Sequence, residues 1–157
     1  MLLFTGSLNS FTYAAEQESV QSNKNDSKDE GVILVFGDSI SAAYGMDQEL
    51  GWVHLLSERF KKDKTPYRFV NASVSGETTG GGLVRLPKTL DIHQPDIVII
   101  ELGGNDGLRG YPISKIQDNL LALTRAAKAA GAKVLLVGMV LPPNYGQRYT
   151  QAFEKLF

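Results

Sequence analysis

The chain of 157 residues is 43% apolar and 21% charged, a size and composition typical of one globular domain. Its 16 basic and 17 acidic residues give a formal net charge of −1, which disfavours nucleic acid or an anionic membrane surface as a partner. Cysteine is absent from the sequence, which excludes disulfides, cysteine-rich zinc sites and thiol nucleophiles. No apolar run approaches the roughly 18 residues of a membrane helix, so we expect no integral membrane segment.

The first 30 residues differ in composition from the rest. Residues 1–15 are weakly apolar and end in small side chains, a pattern that fits the end of a secretory signal and a disordered tail equally well. Residues 16–30 are almost wholly polar and predict a disordered linker. We therefore expect the folded domain to occupy residues 31–157, in a secreted, periplasmic or envelope-associated protein if the signal interpretation holds.

Four short apolar runs, rich in β-branched and large aliphatic residues, predict strands. They lie at residues 32–36, 69–72, 97–102 and 134–140. Longer segments with helical spacing separate them, and this alternation predicts right-handed crossovers and a parallel sheet covered on both faces. The predicted fold class is therefore α/β.

Three helices are predicted between these strands. The first presents one stripe toward the core, made of Trp52, Leu55, Leu56, Arg59 and Phe60. The second, at residues 79–90, is expected to be short or broken, because three consecutive glycines and Pro87 lower its helix propensity. The third opens at Pro112 and closes at Gly131. Its apolar stripe consists of Ile113, Ile116, Leu120, Leu123 and Ala127.

Polar residues and a glycine follow three of the strands where they end. Asp38 and Ser39 follow the first strand, Gly76 follows the second, and Asn105 and Asp106 follow the third. Because the carboxyl ends of parallel strands meet at one edge of a sheet, we expect these residues at a common rim. Taken singly, the polar residues could merely cap helices, and Gly76 could merely serve a turn that needs positive φ.

Taken together, the three strand ends fit nucleophilic catalysis by Ser39. A serine nucleophile needs preorganised donors where the oxyanion develops. The backbone N–H of Gly76 and the side-chain amide of Asn105 are suitable donors. The amide of Ser39, expected at a helix start, adds a third.

Three motifs resemble those of the SGNH (GDSL) hydrolases. They are Gly37-Asp38-Ser39-Ile40, Gly76 within Asn-Ala-Ser-Val-Ser-Gly, and Gly103-Gly104-Asn105-Asp106. The segments GETTGGGLVRLP, IELGGNDGLRG and LPPNYGQRY are most similar to the branch of bacterial arylesterases, thioesterase I and lysophospholipases.

The resemblance implies a flavodoxin-like, three-layer α/β/α fold around a parallel sheet. It implies that Ser39 is the nucleophile, that Gly76 and Asn105 are oxyanion donors, and that no metal or organic cofactor takes part. It also places Leu141 and Tyr145 at the pocket for the acyl or alcohol group. The implied substrates are small esters, thioesters or lysolipids.

The family takes its catalytic base from a D-x-x-H-P block, and no D-x-x-H occurs in the 157 residues. His93 precedes the third strand, so we expect it in a surface loop at the opposite edge of the sheet from Ser39, about 17 Å away for a strand of five residues. His54 is expected on the outer face of the first helix. We therefore expect neither histidine to act as the base.

The end of the sequence carries a helical stripe made of Tyr145, Tyr149, Ala152, Phe153 and Leu156. No capping residue follows it, so we expect the sequence to stop inside a helix, before the last strand and helix of the family's fold. Such a chain should be catalytically impaired.

Two alternative functions stay open at this point. One is a non-catalytic, flavodoxin-like binding module whose glycine-rich turns hold an anion or an acyl ligand. The other is an acyltransferase that uses the same site. Nucleotide binding is disfavoured because the sequence contains neither G-x-G-x-x-G nor G-x-x-x-x-G-K-[ST]. The sequence does not indicate an oligomeric state.

Overall fold

A computed structural model of the chain describes residues 30–157. The strands are β1 (Gly31–Gly37), β2 (Tyr67–Asn71), β3 (Ile97–Glu101) and β4 (Lys133–Leu136). The α-helices are α1 (Trp52–Lys62), α2 (Thr79–His93), α3 (Gly104–Leu108), α4 (Ile113–Ala129) and α5 (Gln147–Glu154). None of these helices has the length and apolar character needed to cross a bilayer. The signal-like segment and all but the last residue of the predicted linker lie outside the described residues.

The strands form one parallel sheet in the order β2-β1-β3-β4. Leu34 of β1 pairs with Val70 of β2 on one side and with Val98 of β3 on the other. The two central strands are buried, whereas β2 and β4 are partly exposed edges among the described residues. The predicted α/β class and parallel sheet are therefore confirmed.

Helices cover both faces of this sheet. Leu34 and Phe36 point into a core shared with residues of α2, α4 and α5. Ile33 and Val35 point to the opposite face, where they pack with Val53 of α1. This alternation along β1 follows from the two-residue period of a strand, and it produces three layers.

The predicted core-facing stripe of α1 is wrong in part. Val53 is the buried residue of this helix, whereas Leu55 is 56% exposed. Arg59 is also exposed, and its guanidinium pairs with Asp63. The helix is rotated relative to the prediction, because it docks on the sheet through Val53 and its packed neighbour Phe60.

The prediction of a short or broken second helix is also wrong, since α2 runs unbroken for 15 residues. Two of its glycines serve close packing. A Cβ at Gly81 would overlap the Glu77 carboxylate, and a Cβ at Gly82 would lie 2.8 Å from Leu102 Cδ1. Burial of Leu86 against the sheet and α4 offsets the poor propensity of the segment. His93 is consequently the last residue of α2, not a loop residue.

The short helix α3 was not predicted, whereas the other elements agree with the sequence in kind and some differ in their bounds. Helix α4 begins after Pro112, as predicted, and a left-handed Gly131 follows it. Strand β4 ends at Leu136, four residues before the predicted end, and only Val137 N continues its pairing, with Ile100 O. Helix α5 ends at Glu154, so the helix predicted to run to the last residue is shorter.

Candidate active site

Ser39 lies in a turn directly after β1, half-buried, beside the buried Asp38. The helix start predicted at Ser39 is wrong, because residues 39–45 form turns and the first α-helix begins at Trp52. The Asp38 carboxylate accepts a hydrogen bond from Ile40 N at 3.0 Å, and Ala43 has a φ of 55° that a helix does not allow. No helix dipole therefore assists the amide of Ser39.

Gly76 lies in the exposed turn that follows β2, with a φ of 78°. Glycine adopts this left-handed conformation without a Cβ penalty, so the turn does need a glycine. Hydrogen bonds tie this segment to the end of β1: Gly37 N donates to Ser73 Oγ at 3.1 Å and Val74 N donates to Gly37 O at 3.0 Å. Within residues 30–157, the amides of Ser39 and Gly76 donate to no acceptor.

Asn105, in the first turn of α3, joins these two turns through one nitrogen atom. Its Nδ2 lies 2.9 Å from Asp38 Oδ2 and 2.9 Å from the carbonyl oxygen of Glu77. Asp38 and Glu77 are the chain neighbours of Ser39 and Gly76. The structure therefore brings the three residues predicted to be catalytic to one site at the carboxyl edge of the sheet.

The electrostatics at Asp38 arise from its burial. Burial raises the pKa of the Asp38 carboxyl, and the nearby Asp106 adds to the rise, whereas the hydrogen bond from Ile40 N opposes it. Asp38 Oδ2 is thus a buried acceptor that binds the side-chain amide of Asn105. Asp38 consequently orients Asn105 and caps no helix.

A second carboxyl group, Glu101, lies beneath the turn and was missed by the sequence reasoning. Ser41 Oγ donates to Glu101 Oε2 at 2.7 Å and accepts from Trp52 Nε1 at 3.2 Å. Glu101 is 4% exposed, and burial raises its pKa, with the nearby Asp38 raising it further and the Ser41 hydrogen bond opposing the rise. A charged residue at the end of the apolar run 97–102 was the available signal.

Asp106 fixes the start of α2 instead of capping its own helix. It accepts hydrogen bonds from Thr79 N at 2.9 Å and from Thr79 Oγ1 at 2.6 Å. Asn119 of α4 donates to the same Thr79 hydroxyl at 2.9 Å. This buried network joins three helices directly behind Asn105.

The two residues predicted to line the substrate pocket lie in different environments. Leu141 is buried in the main core with Ile116 and Phe153. Tyr145 is 36% exposed and lines a cavity of about 460 Å³ together with Ile113. Both assignments stay predictions.

Neither histidine takes part in the hydrogen bonds at the site within residues 30–157. His54 is exposed on α1 and lines, with Ser41 and Ser73, a cavity of about 380 Å³ beside the Ser39 turn. His93 ends α2 at the opposite edge of the sheet. Among the described residues, no three His, Cys, Asp or Glu side chains are grouped so as to hold a metal ion.

Comparison with known proteins agrees with this geometry. Residues 35–156 match the profile of the GDSL-like lipase/acylhydrolase family, over a range that includes all three turns of the site. The chain belongs to the GDSL-like lipase/acylhydrolase family.

Relatives in the GDSL-like family have names that describe ester or thioester hydrolysis. The chain is 54% identical over 125 residues to the esterase TesA of Pseudomonas aeruginosa, a match that covers 80% of this chain and 62% of that protein. It is 46% identical to an arylesterase of Vibrio mimicus, with the same coverage. It is 43% identical to thioesterase 1/protease 1/lysophospholipase L1 of Escherichia coli, over 80% of this chain and 59% of that protein. The chain thus spans less than two thirds of the length of these relatives.

A solved structure of the GDSL-like family supports the fold. The crystal structure of TesA superposes with a TM-score of 0.78 at 54% identity, over 80% of this chain and 69% of that one. The predicted three-layer α/β/α architecture is therefore confirmed.

Proposed function

We propose that this domain supplies the nucleophile and the oxyanion donors for hydrolysis of carboxylic esters and thioesters. The observation that carries the proposal is the position of Asn105 Nδ2, 2.9 Å from both Asp38 Oδ2 and Glu77 O, which gathers the Ser39 and Gly76 turns around one amide. The names of the relatives, which include esterase, arylesterase, thioesterase and lysophospholipase, support small aryl, acyl or lysolipid substrates.

The chemistry begins with attack of Ser39 Oγ on the substrate carbonyl carbon, while the hydroxyl proton passes to a general base. The carbonyl oxygen becomes an oxyanion, which accepts hydrogen bonds from the amides of Ser39 and Gly76 and from Asn105 Nδ2. Collapse of this intermediate expels the alcohol or thiol, which takes the proton from the base. Water then hydrolyses the Ser39 acyl ester by the same sequence of steps.

Within residues 30–157, the structure places no histidine in hydrogen-bond contact with Ser39. A serine without a base retains only the contribution of the oxyanion donors and of substrate binding. We propose that Ser39 in the chain of residues 1–157 is acylated slowly. Free imidazole in the buffer should raise the rate of this Ser39-dependent acylation. A chain extended with a D-x-x-H-P segment should hydrolyse p-nitrophenyl acetate faster still.

The experiment is labelling with a fluorophosphonate probe, followed by peptide mass analysis. We expect one adduct, on Ser39, that is lost in Ser39→Ala and retained in the control Ser114→Ala, which changes an exposed serine at the start of α4. Labelling should accelerate when imidazole is added. An adduct that survives Ser39→Ala, or no adduct at any imidazole concentration, would contradict the proposal and favour a binding module.

A further inference from the structure

Arg85, in the middle of α2, contacts three different segments at the rim of the sheet. Its Nη1 donates to the carbonyl oxygen of Ala72 at 2.7 Å, just past the end of β2. Its Nε donates to Glu77 Oε2 at 2.8 Å. Its guanidinium carbon lies 4.2 Å from the centre of the Phe36 ring, near the end of β1. One planar group thus bridges two strand ends and the turn between β2 and α2.

The partner of this ion pair is the residue next to Gly76. Glu77 has a side chain only 12% exposed, so its pairing with Arg85 is largely shielded from water. Its other carboxylate oxygen accepts from Thr78 N at 3.2 Å, while its carbonyl oxygen accepts from Asn105 Nδ2. The side-chain contact with Arg85 therefore holds Glu77 in place. The carbonyl oxygen of Glu77 binds Asn105, and its chain neighbour is Gly76.

Few contacts are made at Gly76 itself. Gly76 itself is exposed, and a Cβ built on it would meet nothing within 4 Å. The hydrogen bond from Arg109 to Gly76 O is long, at 3.4 Å, and its side chain is exposed. Residues on either side are held separately, since Val74 N donates to Gly37 O at 3.0 Å and Thr79 N donates to Asp106 Oδ2 at 2.9 Å. Within residues 30–157, the short contacts that Glu77 itself makes with side chains of α2 and α3 are those with Arg85 Nε and Asn105 Nδ2.

We propose that Arg85 is a positioning residue that sets the placement of the Gly76 amide relative to the Asn105 side chain, and so the geometry of the oxyanion hole. The inference rests on the proposed function for its catalytic consequence, but the placement of the two amides can be measured without it. An arginine is required because its planar fork donates in two directions while its face lies on an aromatic ring. Lysine provides a single point donor and cannot make all three contacts.

The first experiment measures placement directly by NMR on uniformly labelled protein. We compare Arg85→Met and Arg85→Lys with wild type, and with the control Arg125→Met, which alters an exposed arginine on α4. We expect the Gly76 backbone amide and the Asn105 side-chain amide to shift or broaden in both Arg85 variants. The amide of Val53, buried in the smaller core on the opposite face of the sheet, should stay in place, which shows that the variants are folded.

The second experiment measures fluorophosphonate labelling of Ser39 in the presence of imidazole, at a temperature where thermal melts show every variant folded. We expect the limiting rate of labelling to fall about 10-fold to 100-fold in Arg85→Met, because a small misplacement of catalytic groups has effects of this size. The half-saturating probe concentration should change less than twofold. Ethylguanidinium at millimolar concentration should restore part of the rate to Arg85→Ala and none to Arg125→Ala.

The outcomes separate the two proposals. Unchanged Gly76 and Asn105 signals in both Arg85 variants would overturn the positioning role, even if the melting temperature falls. Unchanged limiting rates in folded Arg85→Met would overturn its catalytic consequence. Absence of labelling in wild type would instead contradict the proposed function, while the NMR comparison would still decide whether Arg85 places the two amides.

Discussion

The side-chain amide of Asn105 has two N–H groups and makes two hydrogen bonds. Its Nδ2 donates to the Asp38 carboxylate and to the Glu77 carbonyl oxygen, each at 2.9 Å. An oxyanion that binds Asn105 Nδ2 must therefore share one of these hydrogens in a three-centre bond or displace one of the two acceptors. The arrangement fixes the amide before substrate arrives, so little reorganisation is needed during the reaction.

Asn105→Ala should accordingly affect both rate and stability. We expect the limiting rate of Ser39 labelling to fall by about 10²-fold to 10³-fold, the usual effect of removing one oxyanion donor. The free energy of unfolding should fall by about 1–3 kcal/mol, because a buried oxygen of Asp38 loses its donor. Labelling kinetics and urea denaturation measure the two effects. A rate within threefold of wild type would remove Asn105 from the oxyanion hole.

Glu101 makes the stability of the site depend on pH. Its pKa is raised above the ordinary 4.5 in the folded chain, chiefly by burial. As the pH rises above about 4.5, the unfolded chain releases this proton before the folded chain does, so the free energy of unfolding decreases until the folded pKa is passed. The raised pKa of Asp38 acts in the same direction.

Glu101→Gln removes one of these two contributions. We expect the free energy of unfolding to decline less between pH 4.5 and neutrality in this variant than in wild type, as measured by urea denaturation over a pH series. Glu154→Gln, at an exposed position near the end of α5, is the control and should follow wild type. Parallel curves for wild type and Glu101→Gln would mean that Glu101 titrates alike in both states.

At the scale of elements, α2 shows how tertiary contacts compensate for a poor local sequence. Its first turn contains three consecutive glycines, yet Thr78 Oγ1 accepts from Gly81 N at 3.1 Å and Asp106 accepts from Thr79 N at 2.9 Å. These contacts satisfy amides that a helix leaves free at its start. The low helix propensity of the glycines could be predicted from the sequence. The acceptor Asp106 on α3 could not, because it lies 27 residues from Thr79 in the sequence.

Asp106→Asn tests this compensation. Both oxygens of Asp106 accept from Thr79, so the NH₂ group of an asparagine would face either the backbone N–H of Thr79 or its hydroxyl. The first is a donor only, and the second already accepts from Asn119, so either orientation loses a hydrogen bond that the hydroxyl or the amide now donates. We expect the free energy of unfolding to fall by about 1–3 kcal/mol in urea denaturation. The control Asp118→Asn, at an exposed position of α4, should stay within about 0.5 kcal/mol of wild type. Equal values for the two variants would argue against Asp106 as the cap of α2.

At the scale of the whole molecule, one large core lies between the sheet and the layer of α2, α4 and α5, and a smaller one lies under α1. The larger core includes Phe36, at the end of β1, and Leu102, beside the turn that carries Asn105. Packing in this layer therefore supports the strand ends on which the site is built.

Two leucines of α4, one buried and one exposed, allow the effect of burial on stability to be compared for the same residue type. Leu123 is fully buried in the larger core, whereas Leu121 is 46% exposed. Leu123→Ala should lower the free energy of unfolding by about 2–5 kcal/mol, since it leaves a cavity. Leu121→Ala should change it by no more than about 0.5 kcal/mol. Thermal or urea unfolding measures both, and similar losses would contradict the assigned orientation of α4.

The sequence by itself determined the alternation of strands and helices, the parallel sheet and the rim where Ser39, Gly76 and Asn105 meet. These features follow from short-range periodicity and from the rule that parallel strands end at one edge. Only the tertiary structure decided the rotation of α1, the continuity of α2, and the contacts of Asp38, Arg85 and Glu101. Those depend on contacts between residues distant in the chain, which no local pattern records, because burial and hydrogen-bond partners are set by packing.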